Sequence, residues 1–217
     1  MKKCIILANG EAPDRKLISY LKDSGYSLLI CADGGANTAY KYKLIPDLII
    51  GDLDSIRKDV TEYFNDKCVI NKINRQNDTD VEKALKYAIS KNYKEAVLLG
   101  ATGDRLDHSF CNLGIVLKFS NRISVTVIHK KSLLRTFKGN TVLNTIPGET
   151  ISIYGFDESA KITSVGLKFP LKNIALPFGK RESTSNIATS DMLKLKILNG
   201  SVFIVRDLKV MKENGLI

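Results

Sequence analysis

Up to about residue 130, short apolar runs of β character alternate with stretches of helical periodicity, and that alternation is what most constrains the fold. Candidate strands are Lys3 to Ala8, Ser27 to Cys31, Leu48 to Ile50, Lys67 to Ile70, Ala96 to Leu99 and Ser124 to Ile128. Helical stretches lie between them near Asp14 to Lys22, Ala36 to Tyr42, Arg57 to Phe64, Thr79 to Ser90 and Asp107 to Phe119. The expectation is an α/β domain built on a doubly wound, mostly parallel sheet of Rossmann-like type over residues 1–130. Beyond Ile128 the pattern shifts to short alternating segments broken by Gly, Pro and Asn. Turns are expected at Lys138-Gly139-Asn140, Pro147-Gly148-Glu149 and Leu198-Asn199-Gly200-Ser201. Thr150 to Tyr154, Met192 to Ile197 and Ser201 to Val205 read as antiparallel strands, so residues 131–217 are expected to form a smaller β-sandwich or barrel.

Several functional classes recede on composition. Hydrophobic residues are 44% of the 217 and charged residues 26%, which suits a packed globular chain. No stretch approaches the roughly 18 to 20 apolar residues that cross a bilayer, and the short apolar run after Lys2 and Lys3 reads as a buried first strand. Cys4, Cys31, Cys68 and Cys111 are scattered without metal-binding spacing, as reduced core residues of a cytoplasmic protein would be. The net charge of +10 suits a polyanionic partner, yet the basic residues are dispersed among acids and there is no Trp, so a phosphate-rich small ligand is expected rather than nucleic acid.

Open parallel sheets bind ligands at the C-terminal ends of their strands, and those ends here carry glycines and acids. The second strand runs into Ala32-Asp33-Gly34-Gly35-Ala36-Asn37, where paired glycines permit positive φ and a helix N-terminus offers N–H groups to an anion. An ordinary tight turn explains that segment as well, and the spacing matches neither a P-loop nor a dinucleotide fingerprint. The third strand ends in Gly51-Asp52-Leu53-Asp54-Ser55. Were it extended there, Asp52 and Asp54 would face one cation while Leu53 faced the core, an arrangement that suits Mg²⁺; helix capping by Asp54 or Ser55 is the plainer alternative. Next comes Asn74-Arg75-Gln76-Asn77-Asp78-Thr79-Asp80-Val81-Glu82. Thr79 and Glu82 fit a capping box, which leaves Gln76 unexplained and Asp80 available as a third carboxylate for the same ion. The fifth strand leads into Gly100-Ala101-Thr102-Gly103-Asp104-Arg105-Leu106-Asp107-His108, where Arg105 offers a donor fork for phosphate and Asp107 either caps the next helix or accepts from a substrate.

These blocks, with Thr163-Ser164-Val165-Gly166-Leu167-Lys168 and Ser183-Thr184-Ser185-Asn186, resemble in order and spacing the thiamine pyrophosphokinase family over nearly the whole chain. Asp104 departs from the glycine usual in that pattern. The resemblance implies an α/β nucleotide-binding catalytic domain, a C-terminal β-sandwich that binds thiamine, and a homodimer with active sites between subunits. It implies Asp52, Asp54 and Asp80 as magnesium ligands, with Gln76, Arg105 and Asp107 around them. Asp33, Gly34, Gly35, Asn37, Thr79 and Arg105 would border ATP, and Gln76, Asp107, Ser185 and Asn186 would meet thiamine. The implied reaction is direct attack of the thiamine hydroxyl on the β-phosphorus of ATP with AMP leaving, Asp107 being the candidate proton acceptor. The rival readings are a nucleotide-sugar glycosyltransferase, a pyrophosphokinase acting on a pterin alcohol, and a basic RNA-binding module.

Overall fold

In the computed structural model, residues 1–215 apart from Gln76 and Asp104 are described, and they divide into two compact units, Met1–His129 and Lys130–Ile217.

The first unit is organised by its most apolar runs. The strands β1 (Lys3–Leu7), β2 (Tyr26–Ala32), β3 (Leu48–Gly51), β4 (Val69–Lys72), β5 (Glu95–Leu99) and β6 (Ser124–His129) pair in the order β6-β5-β1-β2-β3-β4. Every pairing is parallel. Ile5, Ile6, Leu29, Ile30, Val97 and Leu98 are fully buried, as expected where both faces of a parallel sheet are covered. Five helices connect the strands: α1 (Arg15–Asp23), α2 (Gly35–Lys41), α3 (Lys58–Phe64), α4 (Asp80–Ser90) and α5 (Leu106–Phe119). Asp14 starts α1 by accepting from the Lys16 N–H, and Thr79 starts α4 by accepting from the Glu82 N–H. The chain builds outward from β1 to β4 and then returns to place β5 on the other side of β1, so a crevice opens at the strand ends beside β1.

The fourth strand begins two residues later than expected. Lys67 and Cys68 donate their N–H groups to the Phe64 carbonyl and close the end of α3, so the ladder to β3 opens at Val69.

The second unit contains β7 (Ser132–Asn144), β8 (Thr150–Tyr154), β9 (Lys161–Val165), β10 (Ile174–Ala175), β11 (Ser183–Ile187), β12 (Met192–Asp207) and α6 (Leu208–Glu213), with all strand pairings antiparallel. The turn expected at Lys138-Gly139-Asn140 is not formed. Those residues lie inside β7, where Gly139 supplies a φ of +65° and pairs with Ile197. The irregularity falls on the partner strand, between Ile197 and Ser201. Before it β12 also pairs with β9, and after it with β8. Ile151, Ile153, Ile162, Leu193 and Ile204 form the fully buried centre of this unit. Arg206 is buried with them and meets both oxygens of Glu149 at 2.5 and 2.6 Å and the Asn144 carbonyl at 2.8 Å, so neither charge is orphaned. No described helix is long and apolar enough to cross a membrane.

Candidate functional site

The ends of β1 and β5 approach closely: the Gly10 N–H donates to the Gly100 carbonyl at 2.6 Å, and the Ala8 N–H to Leu99 at 2.8 Å. Gly100 has φ +63°, and a Cβ there would stand 2.5 Å from the Ala8 carbonyl oxygen, so a side chain is excluded on both counts. Above these strand ends lies a cleft of about 490 Å³, lined among others by Asn9, Asp33, Ser55, Thr79, Asp80, Arg105 and Asp107.

Asp33 and Asp80 line the cleft, and oxygens of these two and of Asp52, which lies beside the lining, are within 4.8 Å of one another. Asp33 is buried at the end of β2 with φ +44°. Its Oδ2 accepts from the Ser55 N–H at 3.2 Å, while Oδ1 is buried without a partner. Burial raises its pKa, and the neighbouring Asp80 carboxylate adds to the rise while Ser55 opposes it. Asp80 Oδ1 receives the buried Lys83 ammonium at 2.9 Å. Gly51 lies against the same two acids: a Cβ on it would stand 2.9 Å from Asp33 Cβ and 3.0 Å from Asp80 Oδ1. Three carboxylates with one orphaned buried oxygen form an all-oxygen donor set that fits a hard divalent cation such as Mg²⁺.

Asp54 stands outside this trio. The expected extended geometry fails because Leu53 has φ +69°, which turns the chain after Asp52 and leaves Leu53 half-buried rather than facing the core. The Asp54 N–H donates to Asp52 Oδ1 at 3.4 Å, and its own carboxylate accepts from the Ser55 hydroxyl at 2.9 Å.

The positive φ expected of Gly34 and Gly35 is also displaced, falling on Asp33 instead. Both glycines serve close approach: a Cβ on Gly34 would strike the Asn9 side chain, and one on Gly35 the Leu7 carbonyl. Asn37 does not line the cleft; its amide bridges the Ser55 carbonyl at 2.9 Å and the Arg57 N–H at 3.1 Å, fixing the loop after β3 to α2.

Arg105 and Asp107 also line the cleft, and the Arg105 guanidinium meets both oxygens of Asp107 at 3.1 and 2.5 Å. That pairing holds the Asp107 carboxyl down to about 2, which makes it an inefficient proton acceptor near neutral pH. Asp107 is not the cap of α5; Arg105 occupies that position without a side-chain cap bond, and Asp107 accepts from the His108 N–H inside the first turn. Thr79 both caps α4 and lines the cleft. Gln76 and Asp104 lie outside the described residues.

In the second unit, Ser185 is exposed with φ +54°, its N–H bound to the Ser152 hydroxyl at 3.0 Å. Asn186 beside it is buried and committed internally: its amide accepts from the Phe169 N–H at 3.1 Å and donates to the Phe169 carbonyl at 2.8 Å.

Asn9, Gly10, Asn112 and Lys83 were not singled out from the sequence. Ala8-Asn9-Gly10 follows an apolar strand as the other site segments do, and lines the cleft at Ala8, Asn9 and Gly10. Asn112 is buried in α5 and donates to the Ala101 carbonyl at 2.8 Å, a contact across eleven residues that no local pattern announces.

The chain matches the family described as "Thiamin pyrophosphokinase, catalytic domain" over residues 20–128 and "Thiamin pyrophosphokinase, vitamin B1 binding domain" over residues 140–200. It is 29% identical over 199 residues to Thiamine pyrophosphokinase 1 of Oryza sativa subsp. japonica, covering 77% of this chain and 74% of that one. It is 26% identical over 223 residues to the Thiamine pyrophosphokinase of Bacillus subtilis, covering 95% of this chain and 99% of the relative. A crystal structure of thiamine pyrophosphokinase from Bacillus subtilis superposes with a TM-score of 0.82 at 25% identity, covering 95% of this chain and 99% of that one.

Proposed function

The chain belongs to the thiamin pyrophosphokinase family, and from that premise we propose how it transfers the pyrophosphoryl group of ATP to the hydroxyethyl arm of thiamine, giving thiamine diphosphate and AMP. The match of both family models supports thiamine as acceptor over a sugar or a pterin, and an enzyme over an RNA-binding module. The observation that carries the reading of the site is the cluster of Asp33, Asp52 and Asp80 at the strand ends, beside a cleft of about 490 Å³.

In this reading, residues 1–130 form the doubly wound, Rossmann-like nucleotide-binding and catalytic domain, and residues 131–217 a β-sandwich that binds thiamine. Asp52 and Asp80, with Asp33, would hold Mg²⁺, and Asp54, outside that trio, would border the ion's site from the same loop. When bound, the ion supplies charge neutralisation and orientation to the phosphates. Thiamine's hydroxyl oxygen bonds to the β-phosphorus in line as the bond from that phosphorus to the α,β-bridging oxygen breaks; AMP leaves with the bridging oxygen, and the hydroxyl proton is released to solvent. The all-parallel strand ends with Gly10 and Gly100 leave backbone room for the nucleotide; Asp33 and Thr79 would border it directly, with Gly34, Gly35 and Asn37 shaping that border from behind the lining. Arg105 presents its guanidinium to phosphate while Asp107 orients it, a role that suits an acid held at about 2 better than proton abstraction does. Gln76 belongs to this site by its place in the motif. Ser185 would meet thiamine directly, with Asn186 holding Phe169 in place beside it. We also place the protein in the cytoplasm as a homodimer with active sites at the subunit interface; the four cysteines, all free, support a reducing compartment.

Incubating the protein with thiamine, ATP and Mg²⁺ tests this reading. Equimolar thiamine diphosphate and AMP are expected; ADP with thiamine monophosphate, or no product from thiamine, would refute it.

A further inference from the structure

Lys83 is an unusual residue for its place. It stands one turn into α4, where the helix dipole favours acids, and only 3% of its side chain is exposed. A buried ammonium is costly unless it is paired and hydrogen-bonded. Its partner is Asp80, a member of the carboxylate trio, and the contact is to Oδ1 at 2.9 Å. The same oxygen is confined from another side by Gly51, whose absent Cβ would lie 3.0 Å away. One oxygen of Asp80 is thus held between an ammonium and a backbone that tolerates no side chain, which sets the direction in which the carboxylate faces Asp33 and Asp52.

We propose that Lys83 is a positioning residue and permanent counter-ion of the Asp33, Asp52 and Asp80 trio, fixing Asp80 and leaving the group two net negative charges for a divalent cation. This rests on the reading that the trio holds that cation. Lys83 therefore works in two opposed ways. It repels an incoming cation, so the free ion binds more weakly than three bare carboxylates would hold it. It also orders one ligand, so the ion sits in a single geometry suited to the phosphates.

The test separates charge from shape in the full chain, with Mn²⁺ as the probe and electron paramagnetic resonance as the readout, in the absence of nucleotide. Lys83→Gln removes the charge and keeps a donor; it is expected to tighten Mn²⁺ binding about tenfold while kcat falls about tenfold and KM for thiamine holds. Lys83→Arg keeps the charge but not the compact ammonium shape; its Mn²⁺ affinity should stay within about threefold of wild type while kcat falls. A merely structural lysine would move Tm without moving Mn²⁺ affinity. Unchanged or weaker Mn²⁺ binding in Lys83→Gln overturns the assignment. Should that variant not fold, a tenfold change of Mn²⁺ affinity in Lys83→Arg overturns it instead. Asp52→Asn is the control: retention of Mn²⁺ there would refute the trio as the cation site and the Lys83 assignment with it, whereas unchanged binding in Lys83→Gln alone leaves the trio standing.

Discussion

Asp33 concentrates the tension in this molecule at the scale of one residue. Its buried, unpartnered Oδ1 and raised pKa mark a carboxylate that burial destabilises and a cation would satisfy. Asp33→Asn is therefore expected to raise Tm in the absence of divalent cation, by the equivalent of about 1 kcal/mol, while abolishing turnover. A melt with and without Mg²⁺ checks this, and a lower Tm without cation would count against it. Asp54→Asn should cut kcat about 100-fold with Tm unchanged, since the residue is exposed and its loss exposes no cavity; activity near wild type would remove Asp54 from the site. For Asp107 the sign is the ordinary carboxylate one. Its pKa falls from 3.8 to about 2 beside Arg105, so the stabilising contact is present above pH 3.8 and lost as pH falls through 2. Carboxyl carbon shifts followed through an acid titration should show this midpoint return toward 3.8 in Arg105→Ala. The acids were legible in the sequence because polar residues directly after an apolar strand demand an explanation. Their grouping was not: a left-handed φ at Leu53 swings Asp54 out, and the trio is completed by Asp33, whose neighbouring glycines drew the attention.

At the scale of elements, α4 and α5 are linked through Glu82. This buried carboxylate receives Lys118 of α5 at 2.7 Å and Lys86 of its own helix at 3.1 Å, while Lys86 also reaches Asp78 at 2.6 Å. The capping box expected from Thr79 and Glu82 is thus half-formed: Thr79 caps, but the Glu82 carboxylate serves the two lysines. Because both lysines are partly exposed, Glu82→Leu should cost about 1 kcal/mol, read as a fall in the urea midpoint. In the second unit the contrast is sharp. Glu149→Gln leaves Arg206 buried without its carboxylate and should cost about 3 to 5 kcal/mol. The helices and most strands of the first unit were readable because their apolar periods are long and uninterrupted. The second unit was read less well, since Gly139 inside β7 looks locally like a turn, and only pairing with Ile197 keeps it in a strand.

At the scale of the whole molecule, function depends on topology. The sheet order places β5 beside β1, and that reversal brings Asn9, Gly10 and Gly100 to the same cleft as acids from three other segments. No single stretch encodes such a site, which is why the modest motifs taken in order were more informative than any one of them. The net charge of +10 should speed capture of the ATP polyanion, so kcat/KM for ATP is expected to fall as salt rises while kcat changes little. The central claim, that Asp33, Asp52 and Asp80 grip one divalent ion on the triphosphate, is tested most directly by anomalous diffraction from crystals grown with Mn²⁺ and α,β-methylene ATP. The account predicts a manganese peak in contact with Asp33, Asp52 and Asp80 and with the analogue's phosphates; a peak bound elsewhere, with these carboxylates left uncoordinated, would contradict it.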